Sequence, residues 1–288
     1  MSKVADYAQF SKLRLASLVV FSAVIGYLIG CRENQAEMDW LRLAALTLGG
    51  FLVTASSNGF NQVIERESDK LMNRTKNRPL PAGRMNVPEG LVLASVMGLT
   101  GITLLFVFTN MLSGILGSLA LVLYTIVYTP MKRMTPFAVF VGAFPGAVPA
   151  MLGWVAASEG KGTIGVSALL LFAIQFMWQF PHFWAIAWVQ HEDYQRAGFH
   201  LLPSAGGRDK GSAFQIVVYT LMLIPVSLCP LLFRTSGLIS AMVILACGIL
   251  FLLQAFQLYR TCDVRSASRL MFGSFIYLPV VQLALLFG

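Results

Sequence analysis

Nine apolar runs, each long enough to cross the hydrocarbon core of a bilayer, leave this chain few folds to choose from. They read as spans at about residues 13–31, 41–64, 89–109, 112–130, 136–157, 163–190, 213–233, 236–258 and 269–287, and roughly 20 apolar residues suffice for one helical crossing. In lipid the backbone N–H and C=O groups find no water, so such runs must satisfy them internally, as helices. The expected fold is an all-α integral membrane protein of nine transmembrane helices, forming one domain over residues 1–288. A mean hydropathy of +0.71 and a charged fraction of only 12% exclude an ordinary soluble domain.

The net charge of +8 does not describe a nucleic-acid surface, because the basic residues sit in short loops between apolar runs. Seventeen Lys and Arg lie in the head (Lys3, Lys12, Arg14), the loops at 65–88, 132–133 and 191–212, and the segment 259–269. Against them stand four at the alternate ends: Arg32, Arg42, Lys161 and Arg234. The positive-inside rule then places the N-terminus in the cytoplasm and the C-terminus outside. Cys31, Cys229, Cys247 and Cys262 show no CxxC spacing, so neither a zinc site nor a disulfide framework is indicated. Leu28-Ile29-Gly30-Cys31 has the look of a lipoprotein cleavage site. The apolar run from Leu15 to Gly30 nevertheless exceeds a signal core of about 7–15 residues, and it reads as a retained first helix.

One polar interruption carries the chemistry. Asn58 to Arg84 packs three carboxylates and six basic side chains into 27 residues. Asn61, Glu65 and Asp69 recur every four residues and stack on one helix face, about 6 Å apart; Thr54 and Asn58 continue the stripe backward. Arg66, Lys70 and Arg74 form a second ladder one step around. Carboxylates beside cations suit a Mg2+-diphosphate, with hard oxygens for the metal and positive charge for the phosphate. The same spacing also describes an ordinary solvated helix, and a basic loop beside a membrane can serve topology alone.

A second polar stretch, Gln190 to Lys210, follows the sixth span and so lies on the same face as the first. Its acids Glu192 and Asp193 can meet Glu65 and Asp69 over a central cavity opening to the cytoplasmic side. The clusters follow spans two and six, a hint of an internal repeat. Pro79, Pro81 and Gly83 force a turn after the first motif, and Pro145 and Pro149 kink span five. Gly114, Gly117 and Gly142 suit tight helix packing. Span six is rich in aromatic residues and carries His182, about 12 Å inside its cytoplasmic end by helical rise. A titratable group in a membrane helix is a functional candidate, although a buried histidine is more often a hydrogen-bonded core residue.

Taken together these residues resemble the UbiA superfamily of intramembrane prenyltransferases. The superfamily pattern stands here as Asn61-x3-Glu65-x3-Asp69 followed by the NRPLPAGR run, Asn77 to Arg84. LYTIVYTPMKRMTP (Leu123 to Pro136), GAFPGAVPAMLGW (Gly142 to Trp154), PHFWAIA (Pro181 to Ala187) and DYQRAGFHLLP (Asp193 to Pro203) are similar to the haem-farnesylating branch, the haem O synthases. Two departures stand out: Glu65 replaces the usual Asp, and the second motif reads His191-Glu192-Asp193, with Asp193 heading the matching run.

The resemblance implies a transferase in the bacterial inner membrane that moves a farnesyl group from farnesyl diphosphate to a vinyl group of protohaem IX (haem b), feeding terminal oxidase biogenesis. It implies Mg2+ held by Glu65, Asp69 and Asp193, with Asn61 assisting and Glu192 as an alternative ligand. Arg66, Lys70, Arg74, Arg78, Lys132 and Arg133 are candidates for diphosphate oxygens or haem propionates. Tyr194 is a further substrate-binding candidate, and His182 the candidate contact to haem iron or edge; His191 and His200 rank below it as loop residues. A haem A-forming enzyme or an oxidase assembly factor is the implied protein partner. Rival readings are a sister enzyme acting on 4-hydroxybenzoate or a quinone precursor, and a transporter. A transporter should carry polar groups near mid-membrane, often in broken helices, whereas these acids sit at one face.

Overall fold

The computed structural model describes residues 3–288, except the side chain of Arg14, one of the basic residues counted in the head. Among the described residues nine helices are long and apolar enough to cross a membrane. They are α2 (Leu13–Glu33), α3 (Trp40–Ile64), α5 (Val87–Phe108), α6 (Met111–Val122) with its continuation to α7 (Thr129–Met131), α8 (Ala138–Ala156), α9 (Val166–Val189), α11 (Lys210–Leu232), α12 (Leu238–Thr261) and α13 (Val264–Phe287). Three short helices lie outside them: α1 (Lys3–Ser11), α4 (Arg66–Leu71) and α10 (His191–Arg196).

Side-chain caps set several of the boundaries. Asp39, Asn86, Asn110, Asp209 and Asp263 each accept a backbone N–H three residues on, the Asp263 bond to Ser266 being 2.6 Å. Such caps satisfy donors that the first helical turn leaves free. This is why the last span begins at Val264 and not at residue 269: Arg265 and Arg269 lie within the helix that Asp263 starts.

The helices approach through small residues. Gly26 on α2 and Gly153 on α8 face each other's partner backbone, so that a Cβ at Gly153 would meet the Ala23 carbonyl carbon at 2.7 Å. Between α3 and α5, a Cβ at Gly49 would lie 3.0 Å from the Gly101 oxygen, and Ser56 donates to the Ala94 carbonyl at 2.7 Å. Without a hydrophobic driving force between helices in lipid, close backbone packing and such interhelical hydrogen bonds are what hold a bundle together. Beside Pro145 and Pro149, α8 is braced from α9: Gln175 and Gln179 donate to the carbonyls of Gly146 and Ala143 at 2.8 and 2.9 Å.

Two elbows of the same design position the site. α3 passes into α4 through Glu65 (φ −91°, ψ 6°), and α9 into α10 through Gln190 (φ −95°, ψ 15°). In both, the i to i+4 hydrogen bonding runs on through the bend: Glu65 N–H to Asn61 O and Asp69 N–H to Glu65 O at 2.9 and 2.8 Å, Gln190 N–H to Ile186 O and Tyr194 N–H to Gln190 O at 2.9 and 3.0 Å. The elbows sit at the same end of the bundle, where the two polar loops touch. A third piece closes that end. Phe10 of α1 is fully buried against Gly59 and Ala94, Asp6 pairs with Arg84 at 2.7 Å, and Lys3 and Tyr7 both bind Glu89.

Candidate active site

The acidic stripe forms as its spacing predicts, because the hydrogen bonding through Glu65 keeps Asn61, Glu65 and Asp69 one turn apart. All three are buried, Asp69 completely. Asn61 donates to Thr129 Oγ1 at 3.3 Å, Lys132 Nζ lies 2.6 Å from Glu65 Oε1, and Arg78 donates to Asp69 Oδ2 at 2.8 Å. A third cation arrives from the head: Lys12, at the junction of α1 and α2, donates to Asn58 Oδ1 at 3.2 Å. Its backbone is left-handed, φ 49° and ψ 57°, a conformation that costs a non-glycine residue roughly 1–2 kcal/mol. Docking of α1 holds it there.

These groups feel one another. Burial, with Arg78 and Lys132 nearby, pushes the Lys12 ammonium well below its ordinary value, while Glu65 and Asp69 oppose the shift. Burial would lower Lys132 too, but Glu65, Tyr124 and Tyr194 outweigh it and hold that ammonium above its ordinary value. Arg78 and Lys132 thus balance the two carboxylates, and Lys12, whose charged form is disfavoured among these groups, is placed to hold a proton beside an anionic ligand.

The wall beside Lys132 is built by an unusual turn. Leu123–Tyr128 is π-helical, and the Thr129 hydroxyl donates to the Tyr124 carbonyl five residues back at 2.8 Å. Insertions of this kind gather at functional sites. The Lys132 ammonium lies 4.8 Å from the centre of the Tyr128 ring and 5.8 Å from that of Phe199, within cation–π range. Arg133 donates to Ser68, on the same turn as Asp69.

Other expected site residues go elsewhere. The Arg66, Lys70, Arg74 ladder does not form, because α4 ends at Leu71 and the buried Met72 turns extended (ψ 130°) into the core. Arg66 and Lys70 lie on the solvent side and pair with Glu67 at 3.6 and 2.8 Å. Arg74 contributes its backbone: the Asn73 and Arg74 amides donate to the two oxygens of Asp193 at 3.2 and 3.0 Å. Asp193, also 3.0 Å from Arg196, is therefore a clasp between the two polar loops. Glu192 is 75% exposed and pairs with Arg208. His182 is packed in the seam of α9 and α13, with Nδ1 2.7 Å from Ser274 Oγ and its ring stacked on Trp178 at 4.3 Å. Tyr194 packs edge-on to Phe199.

Among the described residues no three His, Cys, Asp or Glu side chains gather into a ready-made metal cage. Mg2+ does not need one: it is usually bound through one or two carboxylates, with substrate phosphates and water completing the shell. Asp69 Oδ1 is buried without a hydrogen-bond partner, an arrangement that costs free energy unless a donor or cation fills it. Glu65 and Asp69 fit such an ion.

Lys12, Thr129 and the π-helical turn are the site components least legible in the sequence. Sequence spacing carries no signal for Lys12, whose partner lies 46 residues away. Lys12→Met is expected to weaken binding of a prenyl diphosphate about tenfold, as loss of one charge-assisted hydrogen bond implies, in a calorimetric titration. Asp193→Ala is expected to speed amide hydrogen exchange at Asn73 and Arg74, since both lose their acceptor; unchanged protection there would rule out the clasp.

The chain belongs to the UbiA prenyltransferase family, whose pattern matches residues 19–278 and so takes in the bundle end where two carboxylates, an asparagine and converging cations meet. It is 48% identical over 283 residues to the protoheme IX farnesyltransferase of Cytophaga hutchinsonii, covering 98% of this chain and 97% of that protein. To the protoheme IX farnesyltransferase of Flavobacterium psychrophilum it is 45% identical, covering 96% and 92%. Among solved structures, a digeranylgeranylglyceryl phosphate synthase superposes with a TM-score of 0.80 at 21% identity, over 100% of this chain and 99% of that one. A UbiA homologue from Archaeoglobus fulgidus bound to GPP and Mg2+ gives 0.68 at 15% identity, over 97% and 99%. These two likenesses are of fold.

Proposed function

We propose that this chain transfers the farnesyl group of farnesyl diphosphate to a vinyl group of protohaem IX, with its site at the cytoplasmic face of a bacterial inner membrane, the N-terminus inside and the C-terminus outside. The observation that carries the reading is the meeting of Glu65 and Asp69 with Lys12, Arg78 and Lys132 at one end of the bundle. The names of the 48% and 45% identical relatives support the choice of substrates.

In this reading the allylic C–O bond of farnesyl diphosphate breaks, its electron pair leaving with the diphosphate. The vinyl group attacks the farnesyl cation and a C–C bond forms. Water adds to the cation left on the haem side and releases a proton, giving a hydroxyethylfarnesyl side chain. Lys12, Arg78 and Lys132 hold the diphosphate oxygens and stabilise the charge that develops on them. Glu65 and Asp69, with Asn61, would hold a divalent cation, which would supply Lewis-acid neutralisation of the leaving group; the Mg2+ bound to the Archaeoglobus fulgidus homologue supports that choice. Asp193 positions the loop carrying Arg74 to Arg78 and so acts through others. Along α8 and α9, Phe140, Phe144, Phe172, Phe176 and Phe180 form a continuous series of ring contacts. Such rings can shelter a carbocation and line an isoprenoid chain.

The test is to incubate the purified protein with Mg2+, farnesyl diphosphate and either haem b or 4-hydroxybenzoate, and weigh the products. Haem bearing a hydroxyethylfarnesyl group is expected. Farnesylated benzoate with unmodified haem would assign the chain to the sister chemistry.

A further inference from the structure

A groove of about 370 Å3 opens between the 132–137 turn and the 191–207 loop, at the same end of the bundle as the acidic stripe. Its lining includes His191, His200, Tyr194, Phe199, Met134 and Pro136. Two imidazoles, two aromatic rings and apolar side chains make a slot suited to a flat, largely apolar molecule that carries a metal. His191 is the better fixed of the two imidazoles. It is partly buried, and the chain at Gly207 runs against it so closely that a Cβ there would meet its Cε1 at 2.6 Å. His200 is exposed at the rim. The groove also adjoins the charged site: Phe199, on its wall, is the ring that faces Lys132 at 5.8 Å, and Tyr194 is among the groups that act on Lys132.

We propose that this groove receives the iron porphyrin acceptor, with the His191 imidazole as an axial ligand to iron and the macrocycle lying along Tyr194 and Phe199 toward Lys132. The proposal rests on the haem-acceptor reading above and deepens it by assigning the acceptor a place and a ligand. It also moves the iron contact from His182 to His191. Imidazole is a common haem ligand, and His182 already spends Nδ1 on Ser274 and one ring face on Trp178. The groove is local to this end of the bundle, so a porphyrin held there stands beside the cations expected to hold the diphosphate.

Ferric protoporphyrin IX is titrated into the purified full chain and into His191→Ala, His200→Ala, His182→Ala and Ala205→Trp, reading the Soret band and the ligand signature by electron paramagnetic resonance. Ala205 also lines the groove, and an indole there fills it while keeping both imidazoles. Expected are loss of the imidazole signature and at least tenfold weaker binding in His191→Ala, retention of the signature in His200→Ala and His182→Ala, and weakened binding in Ala205→Trp. Metal-free protoporphyrin IX, which has no iron to ligate, should bind wild type and His191→Ala within about threefold of each other. The assignment falls if His191→Ala keeps the wild-type spectrum and affinity, or if His182→Ala or His200→Ala loses the signature instead. Turnover of the wild type with farnesyl diphosphate and haem is measured on the same preparation. A wild type that ligates haem through His191 but never farnesylates it would sink the functional reading and leave the groove assignment standing.

Discussion

Asp69→Asn is expected to cut farnesyl transfer by a factor of about 10² to 10³, the loss seen when one preorganised electrostatic contact to a developing charge is removed. The protein should remain folded and inserted. The substitution is nearly isosteric, and Asp69 is fully buried with one oxygen on Arg78 and the other unpartnered. An asparagine oxygen can still accept from Arg78, so the loop carrying that residue stays in place. What disappears is the negative charge proposed to hold a divalent cation next to a diphosphate. Among the charges that meet at Lys12, Glu65 would then face Lys12, Arg78 and Lys132 alone. The comparison is Glu67→Gln, two residues away on α4: Glu67 is exposed and pairs with Arg66 and Lys70, so its removal should leave the rate within about twofold, as is usual for an exposed ion pair. Rates of hydroxyethylfarnesyl haem formation with Mg2+, beside thermal melts in detergent, separate the two. Wild-type turnover by Asp69→Asn would end the assignment of this carboxylate to the metal.

The parts of this architecture that were legible in the sequence are those set by local rules. Nine apolar runs dictate nine crossings, because each helix must meet its own hydrogen bonds in lipid. The Asn61, Glu65, Asp69 stack was legible because i to i+4 bonding passes unbroken through the Glu65 elbow. Local rules alone do not give the cationic ladder: the four-residue repeat of Arg66 and Lys70 does not reach Arg74, because buried Met72 ends the helix between them. Lys12 was out of reach for a different reason. Its place in the site depends on α1 docking against Gly59, Gln62 and Arg84, contacts made across long stretches of sequence. The choice of Arg78 as the partner of Asp69, and of Lys132 as that of Glu65, is likewise tertiary. So is the fate of Asp193: the acid favoured for its motif is the buried one, but the structure gives its oxygens to the Asn73 and Arg74 amides.

Gly153→Val is expected to lower the thermal stability of the whole bundle more than any substitution in the polar loops. The physical reason is that its neighbours are backbone. A Cβ at Gly153 would stand 2.7 Å from the Ala23 carbonyl carbon and 2.9 Å from the Tyr27 nitrogen, and one at Gly26 would stand 3.0 Å from the carbonyl carbon of Ala150. No rotamer change relieves a clash of this kind. α2 and α8 must move apart, and α8 is the most enclosed of the nine crossings, so the strain reaches helices packed on its other sides. Overpacking a well-filled interior costs about 1–3 kcal/mol, and a β-branched side chain forced against two backbone segments should stand at or above the top of that range. Gly50 supplies the control on α3: a Cβ there meets nothing within 4 Å. Gly50→Ala should therefore be neutral or stabilising by about 0.5–1 kcal/mol, the helix-propensity gain. Melting temperatures in one detergent, with retention of the monodisperse species as a second readout, decide the matter. Equal melting points for Gly153→Val and wild type would mean that the α2–α8 crossing is not the close backbone contact described, and that the bundle is held chiefly by its other seams.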